Sequence, residues 1–481
     1  MEKKDLRKLL FSFITSFLFI TICSKNSFLY PMNDWGDINC FFTVGRSLLD
    51  GKVLYRDIYE QKGPLLYFIY AVLSSISKTS FVPIYLFEVI TFAIFLYYAS
   101  KCITLYIDNN NLNVLGMIIL AFITVISKPF ANGGSVEELM LFMQMYSIYV
   151  FLKLIKNEEH PNKKECFLIG IFCACAFWIK YLTCSFYLGL VLYILYYYCY
   201  KTKAYKTLFT SIKYFLFGFA TITIIPFIYF IYHRALFDLF TVYFYNNLFL
   251  YSVKVPIWIS ILYVINKNIK SCFFVLWILG FIYLYKNKLQ EKYFITFLFI
   301  LTFILTYASG KIFFAYYCLV LIPFTIFGII FLLKILSNVK INKIIIIGIA
   351  FLLCIASYFF SQNTYLMKYK KDDLPQYKFA KIMEDADAKT MLYYGHLDKG
   401  FYYTSELTPN CKYFCRLNIQ LKEMKKMQKE FIENGKTDFV ITDDKTLDEY
   451  QMNADHYELV SQEEFTFDKK DCIYYLYRFK K

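Results

Sequence analysis

Histidine is almost missing from this sequence, with four among 481 residues. No Cys-x-x-Cys pair occurs either. Both shortages argue against a His/Cys metal centre, which needs several such ligands at short spacing. No P-loop or dinucleotide fingerprint is present, so nothing marks a nucleotide-binding domain. Charge is sparse as well, with Asp, Glu, Lys and Arg making up 19% of the chain. The remainder is strongly apolar: 58% hydrophobic residues, among them 53 Phe and 46 Tyr. That content excludes an ordinary soluble globular protein and suits lipid-facing helices with interfacial aromatic belts. Fourteen Cys lie mostly within apolar runs, where they behave as small hydrophobes.

The formal charge of +15 does not imply a nucleic-acid partner. Much of the Lys and Arg sits in short loops between apolar runs, as the positive-inside rule requires. Apolar runs suited to a hydrocarbon core of about 30 Å begin near Leu9, Phe81, Asn113, Glu138, Cys166, Cys184, Ser211, Ser271, Tyr293, Ile312 and Ile344. The Cys166–Tyr200 stretch is split by Lys180 and Thr183. The N-terminus has a basic start and an apolar stretch without a small-residue cleavage motif, which reads as an uncleaved first span. Pro64 to Ser77 is only fourteen residues long and reads as re-entrant or interfacial. If it does not cross, the basic loops Lys153–Glu165, Lys201–Lys206, Lys286–Lys292 and Lys334–Lys343 all fall inside. Asn33–Lys62, Ser127–Glu137 and Tyr365–Lys481 then fall outside. The expected protein is a polytopic α-helical cell-membrane protein of about eleven spans, with an extracytoplasmic C-terminal domain.

One long polar segment interrupts the apolar first third, Asn33 to Leu65. Charged backbone at a membrane surface is costly unless it lines a polar cavity, so the segment is a functional-site candidate as well as a possible connector. Phe41, Phe42, Gly45, Leu48 and Leu49 follow helical spacing, which predicts a surface-lying amphipathic helix. Asp37 falls at its predicted N-cap, where a carboxylate is favoured on capping grounds alone. Asp50-Gly51 reads as the stop.

The string from Asp37 through Phe41 to Gly45-Arg46, followed after a turn by Lys62-Gly63-Pro64-Leu65 and an apolar helix, resembles the first external loop of GT-C-type membrane glycosyltransferases. The nearest likeness is to the bacterial lipid-linked-sugar transferases that include aminoarabinose transferases and protein O-mannosyltransferases. Gly63 stands where the first Pro is usual, and Glu60 lies two residues before the lysine rather than directly before it. The resemblance implies a GT-C-like fold and an inverting transfer of a sugar from a polyprenyl-phosphate donor to an acceptor hydroxyl. That acceptor is a glycan, lipid or protein. A divalent metal is the one cofactor left open, and no metal ligands are assigned. In this reading Asp37 is the candidate base, and Arg46, Arg56, Lys62 and Lys311 are cationic candidates for the lipid phosphate. A transporter, flippase or polymerase of lipid-linked saccharides is the alternative. It needs no large soluble tail, and it often shows internal repeats that are not seen here.

Glu137 and Glu138 open the span after Lys128–Ser135. They read either as helix N-terminal charge or, by the resemblance, as a second acidic motif at the active site. Lys180 reads as a snorkelling residue or a phosphate ligand. Residues 1–360 are expected to form the membrane-embedded domain, with 33–65 as its catalytic loop, and 361–481 a small α/β domain. MLYYGH (391–396), DFVITDD (438–444) and YYLYRF (474–479) read as strands there, and Leu417 to Asn434 as a helix. His396, Asp398, Asp443 and Asp444 lie at the ends of these strands, which collect polar residues with or without a site. Cys411, Cys415 and Cys472 offer at most one disulfide, and nothing in the sequence selects it.

Overall fold

The computed structural model describes residues 3–251, 255–269, 272–307, 314–419, 421–467 and 470–480. In chain order it contains α1 (Lys3–Cys23), α2 (Gly36–Leu49), α3 (Pro64–Ile76), α4 (Val82–Thr104), α5 (Asn110–Val125) and α6 (Val136–Asn157). Next come α7 (Lys163–Lys180), α8 (Cys184–Tyr196), α9 (Tyr205–Tyr232), α10 (Leu236–Leu239) and α11 (Ile257–Ile269). The apolar part closes with α12 (Cys272–Lys286), α13 (Lys292–Tyr307), α14 (Ile326–Ile335) and α15 (Lys343–Phe360). The C-terminal segment holds α16 (Pro375–Asp385), β1 (Met391–Tyr394), α17 (Phe401–Ser405), α18 (Lys422–Glu433), β2 (Phe439–Asp443), β3 (Tyr457–Phe467) and β4 (Lys470–Phe479).

The chain forms two compact units. One comprises Met1–Ser24, Tyr85–Ile225 and Val253–Thr364. The other comprises Lys25–Ile84, Pro226–Ser252 and Tyr365–Lys481, so the polar segment and the C-terminal tail fold together.

The first unit is built of apolar helices, because in lipid a spanning segment must satisfy every backbone N–H and C=O internally. The eleven apolar runs marked in the sequence coincide with helices; those beginning at Ser271 and Ile312 are described from Cys272 and Phe314 onward. Among the described residues, seven helical stretches are long and apolar enough to cross a membrane, counting Lys163–Lys201 as one. Four more apolar helices are shorter, including Pro64–Ile76. The chain is a multi-pass membrane protein. The break expected at Lys180 and Thr183 is a 3-10 turn, Tyr181–Thr183.

The second unit carries a four-stranded sheet of order β1-β2-β4-β3. β1 and β2 run parallel, whereas β4 is antiparallel to both β2 and β3. β1 is buried along its whole length, as its unbroken apolar run requires. β3 is one of the two edge strands, and Glu458, Glu463 and Glu464 disfavour pairing of that edge with another chain. α2 departs from expectation. It does not lie on a surface, and every residue from Gly36 to Ser47 is buried. Its apolar side meets α3 through Phe41, whose ring packs edge-on against Tyr67 and Tyr70 at 6.4 and 5.6 Å. Its polar side is covered by the C-terminal segment, where Asp398 accepts a hydrogen bond from Thr43 Oγ1 at 2.8 Å.

Candidate functional site

Helix α2 begins two residues after Asp34. Asn33 Oδ1 accepts from the Trp35 backbone at 3.0 Å, and Trp35, not Asp37, takes the N-cap position. Asp37 therefore sits in the first turn, buried, where the free N–H groups and the helix dipole still favour its charge. The sequence pattern misplaced the cap because an Asx turn at Asn33 sets the entry of the chain two residues earlier. Asp34 is engaged elsewhere: Lys25 Nζ lies 2.5 Å from its Oδ1 and Tyr365 Oη donates to its Oδ2 at 3.0 Å.

The loop after α2 brings Glu60 and Lys62 to the neighbourhood of Asp37. Glu60 is 1% exposed, and its Oε2 accepts the Lys62 N–H at 2.9 Å. Burial pushes its carboxyl above the usual value; the Lys62 charge opposes that shift and the Asp37 charge adds to it. Lys62 Nζ is 4.0 Å from Glu60 Oε1 and 5.8 Å from the Phe41 ring centroid. The Lys62 backbone is pinned on both sides. Tyr67 Oη accepts from its N–H at 3.1 Å, and Tyr55 Oη donates to its carbonyl at 2.5 Å. Tyr55 stacks on Phe230 at 5.4 Å, while Asn246 donates to Tyr59 Oη at 3.2 Å and Asn247 to the Gln61 carbonyl at 2.7 Å. The loop is thus held by the Pro226–Ser252 segment of the same unit, which limits its freedom to move.

The two arginines lie apart from this group. Arg46 is buried, and its Nη2 donates to the carbonyls of Tyr402 and Leu407 at 2.7 and 2.6 Å, binding the C-terminal segment to α2. Burial lowers its pKa, with the Asp398 charge opposing. Arg56 is exposed; it pairs with Asp57 at 3.0 Å and donates to the His233 carbonyl at 3.0 Å.

The first unit holds a second polar group of its own. Ser135 caps α6, accepting from the Glu138 N–H at 3.2 Å. Glu137 and Lys180 form an ion pair with side-chain exposures of only 3% and 11%. Lys180 Nζ also lies 3.8 Å from the centre of the Tyr317 ring. Glu138 joins Glu88, the Gly134 N–H donating to both carboxylates at 2.8 and 3.1 Å. Ser24 Oγ donates to the far oxygen of Glu88 at 2.7 Å. Glu88 was not singled out in the sequence, although a lone acid inside an apolar run was its signal. Lys311 falls outside the described residues. Among the described residues, no three His, Cys, Asp or Glu side chains converge as a metal site would require.

The architecture has a solved counterpart. A crystal structure of ArnT from Cupriavidus metallidurans bound to undecaprenyl phosphate matches with a TM-score of 0.61, covering 97% of each chain at 11% identity. The apo-state structure of the same protein matches equally, with TM-score 0.61, 11% identity and 97% of each chain. The chain has the GT-C fold of ArnT. No family model matches the sequence, and no curated protein does. At this identity the likeness to ArnT carries the fold alone, and the placement of Asp37, Glu60, Lys62, Glu137 and Lys180 rests on this chain's own geometry. The free cysteines include one close pair that the sequence did not suggest: Cys40 Sγ on α2 lies 3.8 Å from Cys415 Sγ.

Proposed function

We propose that this protein transfers a sugar from a polyprenyl-phosphate donor to an acceptor hydroxyl, with inversion, on the outer face of the membrane. The observation that carries the reading is the buried carboxylate of Asp37 gathered with Glu60 and a pinned Lys62, in a chain with the fold of ArnT. An acceptor hydroxyl is a poor nucleophile until a base takes its proton, and Asp37 is suited to that task. A positioned base typically contributes about 10²–10⁴-fold. The leaving phosphate gathers negative charge, which a fixed ammonium stabilises without reorganising at the moment of reaction. Lys62 supplies that charge. That ArnT crystallises with undecaprenyl phosphate supports the class of donor. The basic loops assigned to the cytoplasm by the sequence support the outer-face orientation.

The two cations of the loop separate the reading from a general charge effect. Lys62→Ala should weaken undecaprenyl phosphate binding by about 10–100-fold, the worth of one charge-assisted hydrogen bond. Arg56→Ala should leave it nearly unchanged, because Arg56 is exposed and already paired with Asp57. Binding is measured by titrating the purified protein in detergent with the lipid. Equal affinity of Lys62→Ala and the parent would overturn the donor assignment.

A further inference from the structure

The turn after β1 is docked onto the helix that carries Asp37. A Cβ placed on Gly36 would lie 2.6 Å from Leu397 Cβ and 3.4 Å from the Asp398 carbonyl oxygen, so the two backbones are in direct contact. Asp398 fastens the turn further along α2, its N–H donating to Cys40 Sγ at 3.2 Å and its carboxylate accepting from Thr43. His396, one residue before Leu397, is held at its backbone. Its N–H donates to Asp443 Oδ2 at 3.2 Å, and the flanking Gly395 and Leu397 bond to Arg416 in both directions at 2.8 Å. Leu397 itself is forced into the left-handed region, at φ 55°. A leucine is strained in that conformation, and such strain collects at functional sites.

The His396 side chain is exposed and has no hydrogen-bond partner among the described residues. Leu397 meets α2 at Gly36, so the turn that carries His396 is seated on the residue next to Asp37. Although the side chain reaches the surface, the protein atoms around the ring take away part of its hydration, and with Lys399 and Arg416 alongside they hold it below its ordinary pKa. A neutral imidazole presents one N–H donor and one acceptor nitrogen, the pair that a hydroxyl group can satisfy on both counts.

We infer that His396 contacts the acceptor, hydrogen-bonding a hydroxyl of a carbohydrate held over Asp37, so that the C-terminal segment forms the acceptor side of the site. This rests on the transferase reading above. It gives the tail a role in choosing the acceptor and leaves the lipid to Lys62.

The test uses full-length chains in detergent, an undecaprenyl-phosphate-linked tritiated sugar, and the envelope glycan fraction of the producing cells as acceptor. His396→Ala should raise the acceptor concentration for half-maximal transfer by about three- to tenfold, the loss of one neutral hydrogen bond. The maximal rate and the affinity for undecaprenyl phosphate should stay at the parent values. His396→Gln, which keeps a donor and an acceptor, should restore part of the loss. Unchanged half-saturation in His396→Ala, or a fall in maximal rate alone, would overturn the inference while leaving the transferase reading intact. If His396→Ala does not fold, as judged by its melting and lipid affinity, His396→Gln and His396→Asn decide by the same half-saturation measurement. A parent chain that transfers no sugar would remove the underlying reading, and this inference with it.

Discussion

Gly45 stands where α2 crosses α3, and its replacement by alanine gives a sharp test of the packing around the site. A Cβ there would lie 2.7 Å from the Tyr70 carbonyl carbon, 2.8 Å from the Ala71 nitrogen and 2.8 Å from Tyr70 Cβ. All three atoms belong to the α3 backbone or its first side-chain carbon, so no rotamer change relieves the contact. The helices must separate instead. Overpacking of this kind costs about 1–3 kcal/mol, and three rigid contacts place it near 3. Alanine returns about 1 kcal/mol through helix propensity. The net loss is about 2 kcal/mol, or about 4–8 °C in melting temperature for a unit of roughly 200 residues. Thermal unfolding of the purified protein in detergent, followed by circular dichroism, reads this directly. Gly348 on α15 is the control, because a Cβ there meets nothing within 4 Å and Gly348→Ala should cost nothing. If Gly45→Ala melts at or above the parent temperature, the close crossing of α2 and α3 is wrong.

Two further outcomes follow from buried charges. Lys180→Met leaves Glu137 unpaired in a buried position and should destabilise the protein by about 3–5 kcal/mol. The double variant Lys180→Met with Glu137→Gln should recover most of that loss in the same melting assay. Glu60 has a carboxyl pKa raised above its ordinary 4.5, so the folded state holds this proton more tightly than the unfolded chain does. Its contribution to stability is therefore full below 4.5 and is lost as pH rises through the raised folded value. Glu60→Gln should flatten the fall of stability with pH between 4.5 and the raised folded value, and an unchanged fall over that range, read from denaturant titrations at each pH, would contradict the burial described here.

The helices of the first unit were legible because lipid leaves the backbone few alternatives to long apolar helices, and those show as contiguous runs. β1, β2, β4 and α18 were likewise readable from their apolar periodicity. β3 was not, since YELVSQEEFTF is rich in acids and is held in place by its hairpin partner β4. The burial of α2 was equally hidden. Thr43 and Arg46 look solvent-facing in the sequence, yet their partners Asp398, Tyr402 and Leu407 lie more than 350 residues away. Arg46 accordingly reads as a phosphate ligand from its motif, whereas its contacts are with the C-terminal backbone. Glu88 needed Gly134 and Glu138 beside it before its role in a polar cluster was visible.

The most direct test of the central claim is sugar transfer by Asp37→Asn. Because Trp35 is the N-cap, this change leaves the cap in place and keeps the size and polarity of the buried side chain, so folding should survive. Asp34→Asn is not a silent companion, since it disturbs the Lys25 pair; the melting temperature of Asp37→Asn itself serves as the control. An amide cannot take the acceptor proton. The account predicts a fall in transfer of about 10²–10⁴-fold with melting temperature and undecaprenyl phosphate affinity close to the parent values. Near-normal transfer by the Asp37→Asn protein would contradict it.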